Sequence, residues 1–353
     1  MNKNFFFSVM LAMVLVFGMT VVGCDDGNDN GNDNGNSNSN SNSNGNSNSN
    51  SNGNDNGNDV ITWTAVTGST FDSSSIWNIA YGAGKFVAAG DDGKMAYSAD
   101  GISWAAVANS PFDLNNYRIV ITYGDGKFVV AGRSLYDSID KVAYSTDGIT
   151  WTVGTNTIST NTYDIAYGGG KFVTGRRNMA YSTNGQTWTA ASTDFSSYPY
   201  FQIHAITYGN GRFVGGGNSG NGKGKVAYSI NGETWIVVED SIIDTNAVIS
   251  DIAYGNNKFV TVGGDGQCTI AYSSDGLNWT ATNTTGYFYC VAYGGGKFIA
   301  TGNRTVYSLD GVTWRTITNS GVNSVRTEAI AYGSGRFVLG SAMGGIWYSN
   351  IQE

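Results

Sequence analysis

Histidine, proline and cysteine are nearly missing from this chain of 353 residues, which carries one, two and three of them. A single histidine, His204, and a few scattered cysteines fall short of the three or four ligands of a zinc site, so no metal and no cofactor is expected. His204 would also have to serve any Ser-His-Asp triad, yet no Gly-x-Ser-x-Gly elbow accompanies it, which points to a structural, hydrogen-bonding histidine. Charge is sparse as well, at 13% of residues. Six of the acidic residues lie in 25–59 and only Lys3 is basic before Val60. From Val60 onward 21 acids therefore face 18 bases, a net charge near −3. That balance excludes a nucleic-acid footprint and a polybasic membrane patch.

Long apolar runs are missing too, with one exception. Phe5–Val22 is almost unbroken, follows Lys3, and ends in Val21-Val22-Gly23 before Cys24. A short positive region, an apolar stretch and a small residue before the cleavage point describe a secretory signal peptide. The last four residues resemble a bacterial lipobox, in which the cysteine is lipidated, with Val21 in place of the usual leucine. The resemblance implies signal peptide 1–23, lipidation at Cys24 and an exported protein anchored in the bacterial cell envelope; the other reading is an uncleaved signal anchor. Residues 25–59 contain only Asn, Gly, Ser and Asp. Nothing there offsets the entropy of ordering the chain, so the segment is expected to be a flexible tether of roughly 30–35 Å end to end.

From residue 76 the chain repeats itself about every 40 residues. One signature, Ile-Ala-Tyr-Gly followed by Gly-Lys-Phe-Val, occurs seven times, with its tyrosine at 81, 123, 167, 208, 254, 293 and 332. A second, Tyr-Ser-x-Asp/Asn-Gly-x-x-Trp, is complete six times and ends at Trp104, Trp151, Trp188, Trp235, Trp279 and Trp314. The seventh copy is split. Tyr348-Ser349-Asn350 at the C-terminus supplies its first half, and Asp59-Val60-Ile61-Thr62-Trp63 supplies its second. Each repeat holds four short β-like segments separated by glycine-rich turns. The expectation is an all-β, seven-bladed propeller over 60–353 with four-stranded blades, the last closed by the N-terminal strand, which removes the exposed edges of an open array. Cys268 and Cys290 fall on neighbouring repeats at different strand positions. Export would permit a disulfide, but that spacing argues against one.

The second signature resembles the Asp-box (BNR) repeat of sialidases and many other propeller proteins, as at Ser98, Asp100, Gly101 and Trp104. Here the turn is one residue shorter than the familiar form, and Asn184 and Asn231 replace the aspartate. The resemblance implies the architecture and says little about activity. A sialidase-like enzyme would need an arginine cluster, a Tyr–Glu pair and an acid/base aspartate. The Arg-Ile-Pro start of such domains is absent, and Tyr289, Glu328 and Arg326 form at most a partial constellation.

Two faces differ in character. The turn after the first strand always ends in a base, Lys85, Lys127, Lys171, Arg212, Lys258, Lys297 or Arg336, best read as intra-blade pairing and solubility. The opposite face carries the variable loops, with Phe112, Tyr117, Phe195, Tyr198, Tyr200, Phe201, Tyr287, Phe288 and Tyr289. Counting four residues back from each repeat tyrosine gives Trp77, Ile119, Tyr163, His204, Ser250, Tyr289 and Glu328, which should gather at the mouth of the central channel. Tyr117, Asp164, Asp251 and Arg326 stand nearby. Aromatic faces beside polar groups suit a sugar, with Trp77, Tyr163 and Tyr289 as platforms. These positions also share strand parity with core residues and could simply pack between blades. The function expected is a non-enzymatic binding module for a glycan or an envelope or host protein. The alternatives are a glycoside hydrolase on the same face, or an envelope assembly scaffold.

Overall fold

A computed structural model describes residues 61–112, 117–134, 140–155, 158–220, 222–239, 248–264, 269–318, 321–322 and 325–351. The signal peptide, Cys24, the tether and Cys268 lie outside the described residues. Within them the chain is a seven-bladed β-propeller, as the repeat predicts.

Blade 1 comprises Ile76–Gly82, Lys85–Gly90, Met95–Ser98 and Ala105–Ala106, and blade 2 comprises Tyr117–Gly124, Lys127–Ser134, Asp140–Ser145 and Thr152–Val153. Blade 3 is Asp164–Gly168, Lys171–Gly175, Met179–Ser182 and Thr189–Ala190; blade 4 is Gln202–Gly209, Arg212–Asn218, Gly224–Ser229 and Thr234–Val237. Blade 5 is Val248–Gly255, Lys258–Gly264, Ile270–Ser273 and Thr280–Ala281; blade 6 is Phe288–Gly294, Lys297–Gly302, Thr305–Ser308 and Arg315–Thr316. Blade 7 joins Thr327–Gly333, Arg336–Ser341 and Ile346–Ile351 to the N-terminal strand Ile61–Ala65. The first strands of successive blades contact one another and so form the inner ring. Blade 4 departs from the four-stranded pattern, because Ser192–Asp194 adds a parallel strand against its outer edge.

The N-terminal strand pairs antiparallel with the last one, Trp63 opposite Ser349 and Ile61 opposite Ile351. Ile61 and Trp63 are buried in a cluster with Ile299, Tyr307 and Phe337, so the closing strand belongs to the core between blades 6 and 7. The hydrophobic core as a whole lies between blades, with one apolar cluster for each neighbouring pair. Inside each blade the repeat tyrosine packs on the phenylalanine of the second strand, and in blades 1, 4, 5 and 6 the signature tryptophan extends the pair into a ladder. In blade 1 the Tyr81 and Phe86 rings are 4.7 Å apart, and Phe86 and Trp104 6.4 Å.

The outer turn explains the second signature. Ser98 Oγ accepts from the Gly101 amide at 2.8 Å and donates to Asp100 Oδ1 at 2.9 Å. Asp100 Oδ1 in turn accepts the amides of Ile102 and Ser103, both at 2.8 Å. Asn184 Oδ1 and Asn231 Oδ1 accept the matching amides, so the amide side chain serves where aspartate is missing. The glycine has positive φ, +75° at Gly101, which any other residue would adopt only with strain.

The basic residues on this face meet the expectation of intra-blade pairing only in part: Lys127 Nζ lies 3.0 Å from Asp125 Oδ2 of its own turn, and further contacts cross to the next blade. Lys171 Nζ lies 3.2 Å from Glu233 Oε1, and Lys127 Nζ reaches Asn184 O at 3.3 Å, each on the following blade. Asn210 and Asn256 likewise donate to Ser274 O and Leu309 O one blade on, both at 3.1 Å. The turns therefore stitch neighbouring blades together, because the first hairpin of each blade ends beside the outer turn of the next.

Candidate binding site at the channel mouth

On the variable face the inner strands surround a cavity of ≈ 320 Å³, at the small end of the range for ligand pockets. Trp77, Tyr163, His204, Ser250, Tyr289 and Glu328 line it, together with Asp164 and Asp251. All six mouth side chains are half-buried. Arg326 sits against two of them, its guanidinium 5.0 Å from the Tyr289 ring centroid and its Nε 2.5 Å from Glu328 Oε1. Tyr117 opens the inner strand of blade 2, opposite Ser134, and its side chain lies outside the described residues.

A backbone device places these residues. In blades 1, 4, 5, 6 and 7 the pairing of the first two strands slips by one residue, between Ile76/Asn78, Ile203/Ala205, Ile249/Asp251, Phe288/Cys290 and Thr327/Ala329. The extra residue of each bulge is Trp77, His204, Ser250, Tyr289 or Glu328, and a bulge re-aims its side chain. Glycine stands opposite four of the five. At Gly90, Gly217, Gly263 and Gly302 a β-carbon would lie 1.8–2.1 Å from the carbonyl oxygen of Ser75, Gln202, Val248 and Tyr287.

Blade 2 has no such slip, and this corrects one sequence-based position. Its pairing runs unbroken from Gly124 to Tyr117, so Ile119 opposes Gly132 and is fully buried between blades. Arg118 lines the cavity instead. Its guanidinium carbon lies 4.1 Å from the Trp77 ring centroid and 4.7 Å from that of Tyr163. Arg176, from the loop after the second strand of blade 3, covers Tyr163 at 4.2 Å. The loop aromatics need a second correction. Phe112, Phe195, Phe201 and Phe288 are buried, whereas Tyr200 and Tyr287 are the large exposed ones. An aromatic in an inter-blade loop has more apolar area to cover at the blade joint than on the face.

The two aspartates act on the frame of the site. Asp164 Oδ2 accepts the Ile206 amide of the next blade at 2.7 Å, and Asp251 Oδ2 accepts the Val291 amide of the next blade at 2.7 Å. Asp251 Oδ1 also accepts its neighbour Ile252, at 2.7 Å, and Asn78 Nδ2 donates to Asp164 Oδ1 at 3.4 Å. Burial raises the Asp164 carboxyl to about 7 and that of Asp251 to about 8, against the opposing pull of these amides. Burial also raises Glu328, offset by Arg326. His204 stacks on Tyr163 at 5.6 Å and donates from Nδ1 to Ile249 O at 3.2 Å. Burial, with Arg176 and Arg118 nearby, lowers it to about 4, so it stays neutral at physiological pH. Cys290 is free and buried, its Sγ 3.0 Å from Thr301 Oγ1, and burial pushes the thiol well up. Among the described residues no cluster of three metal-ligating side chains forms, and no helix is long and apolar enough to cross a membrane.

No family model and no curated protein matches the sequence. The fold is similar to several solved propellers. One is YCF48 bound to D1 peptide, at 14% identity and a TM-score of 0.63, with 83% of this chain and 97% of that one covered. A catalytically inactive virginiamycin B lyase from Staphylococcus aureus, crystallised with quinupristin, aligns at 11% identity and TM-score 0.64, covering 83% and 100%. The WD40 propeller domain of Doa1 aligns at 11% and 0.56, covering 83% and 98%. At these identities the likeness establishes the propeller fold alone.

Proposed function

We propose that this chain is a non-enzymatic binding module that receives a segment of a partner protein at the channel mouth. In this reading the Cys24 lipid and the 25–59 tether present the propeller on the cell envelope, and the outer turns belong to the Asp-box class that they resemble. The observation that carries the reading is the occupancy of the aromatic faces. Trp77, Tyr163 and Tyr289, suited by sequence to stack on sugar, each hold a guanidinium over the ring, from Arg118, Arg176 or Arg326. A neutral sugar would have to displace those cations, whereas a polypeptide segment with an acidic group would meet them. Binding of a peptide by the similar propeller YCF48 is in keeping with this use of the fold.

Tyr289, Glu328 and Arg326 do come together, which is the arrangement the hydrolase alternative asks for. Against it, the two deep carboxylates are engaged in holding backbone amides between blades. The test is a peptide array and a glycan array probed in parallel with the full chain and a Trp77→Ala/Tyr289→Ala variant. Selective peptide binding that the variant loses supports the reading. Binding confined to neutral glycans, or peptide binding indifferent to the two substitutions, overturns it.

A further inference from the structure

Arg118 is the cation of the cavity lining, and it has an unmet need. Its Nε is fully buried and has no hydrogen-bond partner. A buried donor left unpaired is costly, and one that faces a cavity lined by aromatic rings has room for a partner there. The guanidinium carbon lies over the rings of Trp77 and Tyr163, and an arginine so placed at a cavity wall can receive a carboxylate through two parallel bonds.

The nearby acids are engaged elsewhere. Glu328 is ion-paired with Arg326, and Asp91 Oδ1 accepts from Trp77 Nε1 at 2.5 Å. Asp164 and Asp251 accept the amides of Ile206, Ile252 and Val291. None of these carboxylates hydrogen-bonds to Arg118, although Glu328, Asp164 and Asp91 are near enough to favour its charge.

We infer that the channel mouth binds the free C-terminal carboxylate of a partner polypeptide, with Arg118 as the anchor of the anion. This rests on the peptide-binding reading above and narrows it. One further feature favours a chain end. A cavity of ≈ 320 Å³ ringed by inner strands admits a terminus, whereas an internal acidic residue would need space for the chain to enter and leave. A sugar acid would bring several hydroxyls to a wall whose aspartates and Asn78 already have internal partners.

The experiment compares peptides with free and with amidated C-termini, by fluorescence polarisation, on the full chain and on Arg118→Gln, with thermal melts to verify folding. A set of glucuronate-bearing oligosaccharides runs alongside. Amidation is expected to weaken binding at least 10-fold in the natural chain and to make no difference in Arg118→Gln. The loss of discrimination, rather than of affinity alone, separates an anchoring role from a structural one. Peptides that need Trp77 and Tyr289 but bind equally as acid and amide overturn the carboxylate inference and leave the peptide reading standing. Discrimination that persists in Arg118→Gln overturns Arg118 as the anchor. Arg118-dependent binding of the sugar acids without any peptide binding, or no binding of either, overturns both.

Discussion

Tyr81 in the first blade covers Gly333 in the last so closely that a β-carbon on the glycine would lie 2.1 Å from the tyrosine Cγ. The same contact recurs one blade at a time, Tyr123 on Gly82 and Tyr254 on Gly209 among them, at 2.0–2.1 Å. The repeat Tyr-Gly pair is therefore a joint between blades, and Gly333 with Tyr81 is the joint that closes the ring. Gly333→Ala should cost about 1–3 kcal/mol through overpacking. Gly209→Ala, at an internal joint, should cost a similar amount. Urea midpoints of the two variants check this; a Gly333→Ala without cost beside a destabilised Gly209→Ala would mean that the closing joint is loose.

The closing strand carries its own prediction. Trp63, 9% exposed, packs with Ile299, Ile317 and Leu339, and its strand covers the edge of Ile346–Ile351. Trp63→Ala should destabilise by about 3–5 kcal/mol. A chain starting at Gly68 should expose the edge of Ile346–Ile351 and self-associate, as uncovered edges do. Light scattering after size exclusion would show oligomers for that chain and not for one starting at Val60.

Asp164 and Asp251 make stability depend on pH. Their folded-state pKa values, about 7 and about 8, lie above the ordinary 3.8. The folded protein thus holds protons that the unfolded chain releases, and stability falls as pH rises from about 4 to about 8. The outer-turn carboxylates work the other way. The amides of Thr150 and Ile149 hold Asp147 down at about 2, so its contribution is present above about pH 4 and is lost as pH falls toward 2. Melting temperature should peak near pH 4 and drop by roughly 5 °C by pH 9. Asp251→Asn should flatten the alkaline side of that curve. An alkaline limb as steep in Asp251→Asn as in the natural chain would place the dependence elsewhere.

The ring was legible because its closure is written twice, in the split signature of Tyr348-Ser349-Asn350 with Ile61-Thr62-Trp63 and in the seven tyrosines. Six of the seven mouth positions followed from counting back four residues from those tyrosines. The seventh failed because a bulge is a backbone insertion, and the residue pattern looks the same with or without it. Gly132 stands in blade 2 where Gly90 and Gly302 stand opposite bulges, yet there it makes room for the Phe112 ring, 2.1 Å from a would-be β-carbon. The sequence offered one clue, the continuous Ile119-Val120-Ile121, which leaves no small or polar residue for the channel wall. The direction of the basic turns was hidden for another reason. Whether Lys171 meets an acid in its own blade or Glu233 in the next depends on blade spacing, which no local pattern encodes.

If the bulges aim the site, disturbing one from behind should impair binding without touching a mouth residue. Gly302 opposes Phe288 in blade 6, and a β-carbon there would fall 1.8 Å from the Tyr287 carbonyl oxygen. Gly302→Ala can be accommodated only if the chain at Tyr287–Phe288 shifts, which moves Tyr289 and with it the contact to Arg326. The variant should lose about 1–3 kcal/mol of stability, like the joint variants above. Unlike Gly209→Ala, whose clash with Tyr254 lies at the other end of the inner strand, it should also weaken peptide binding several-fold at temperatures where both variants remain folded. Equal affinities for the two would show that the mouth tolerates a displaced Tyr289, and would shift the recognition of ligand toward Arg118, Trp77 and Tyr163 on the opposite wall.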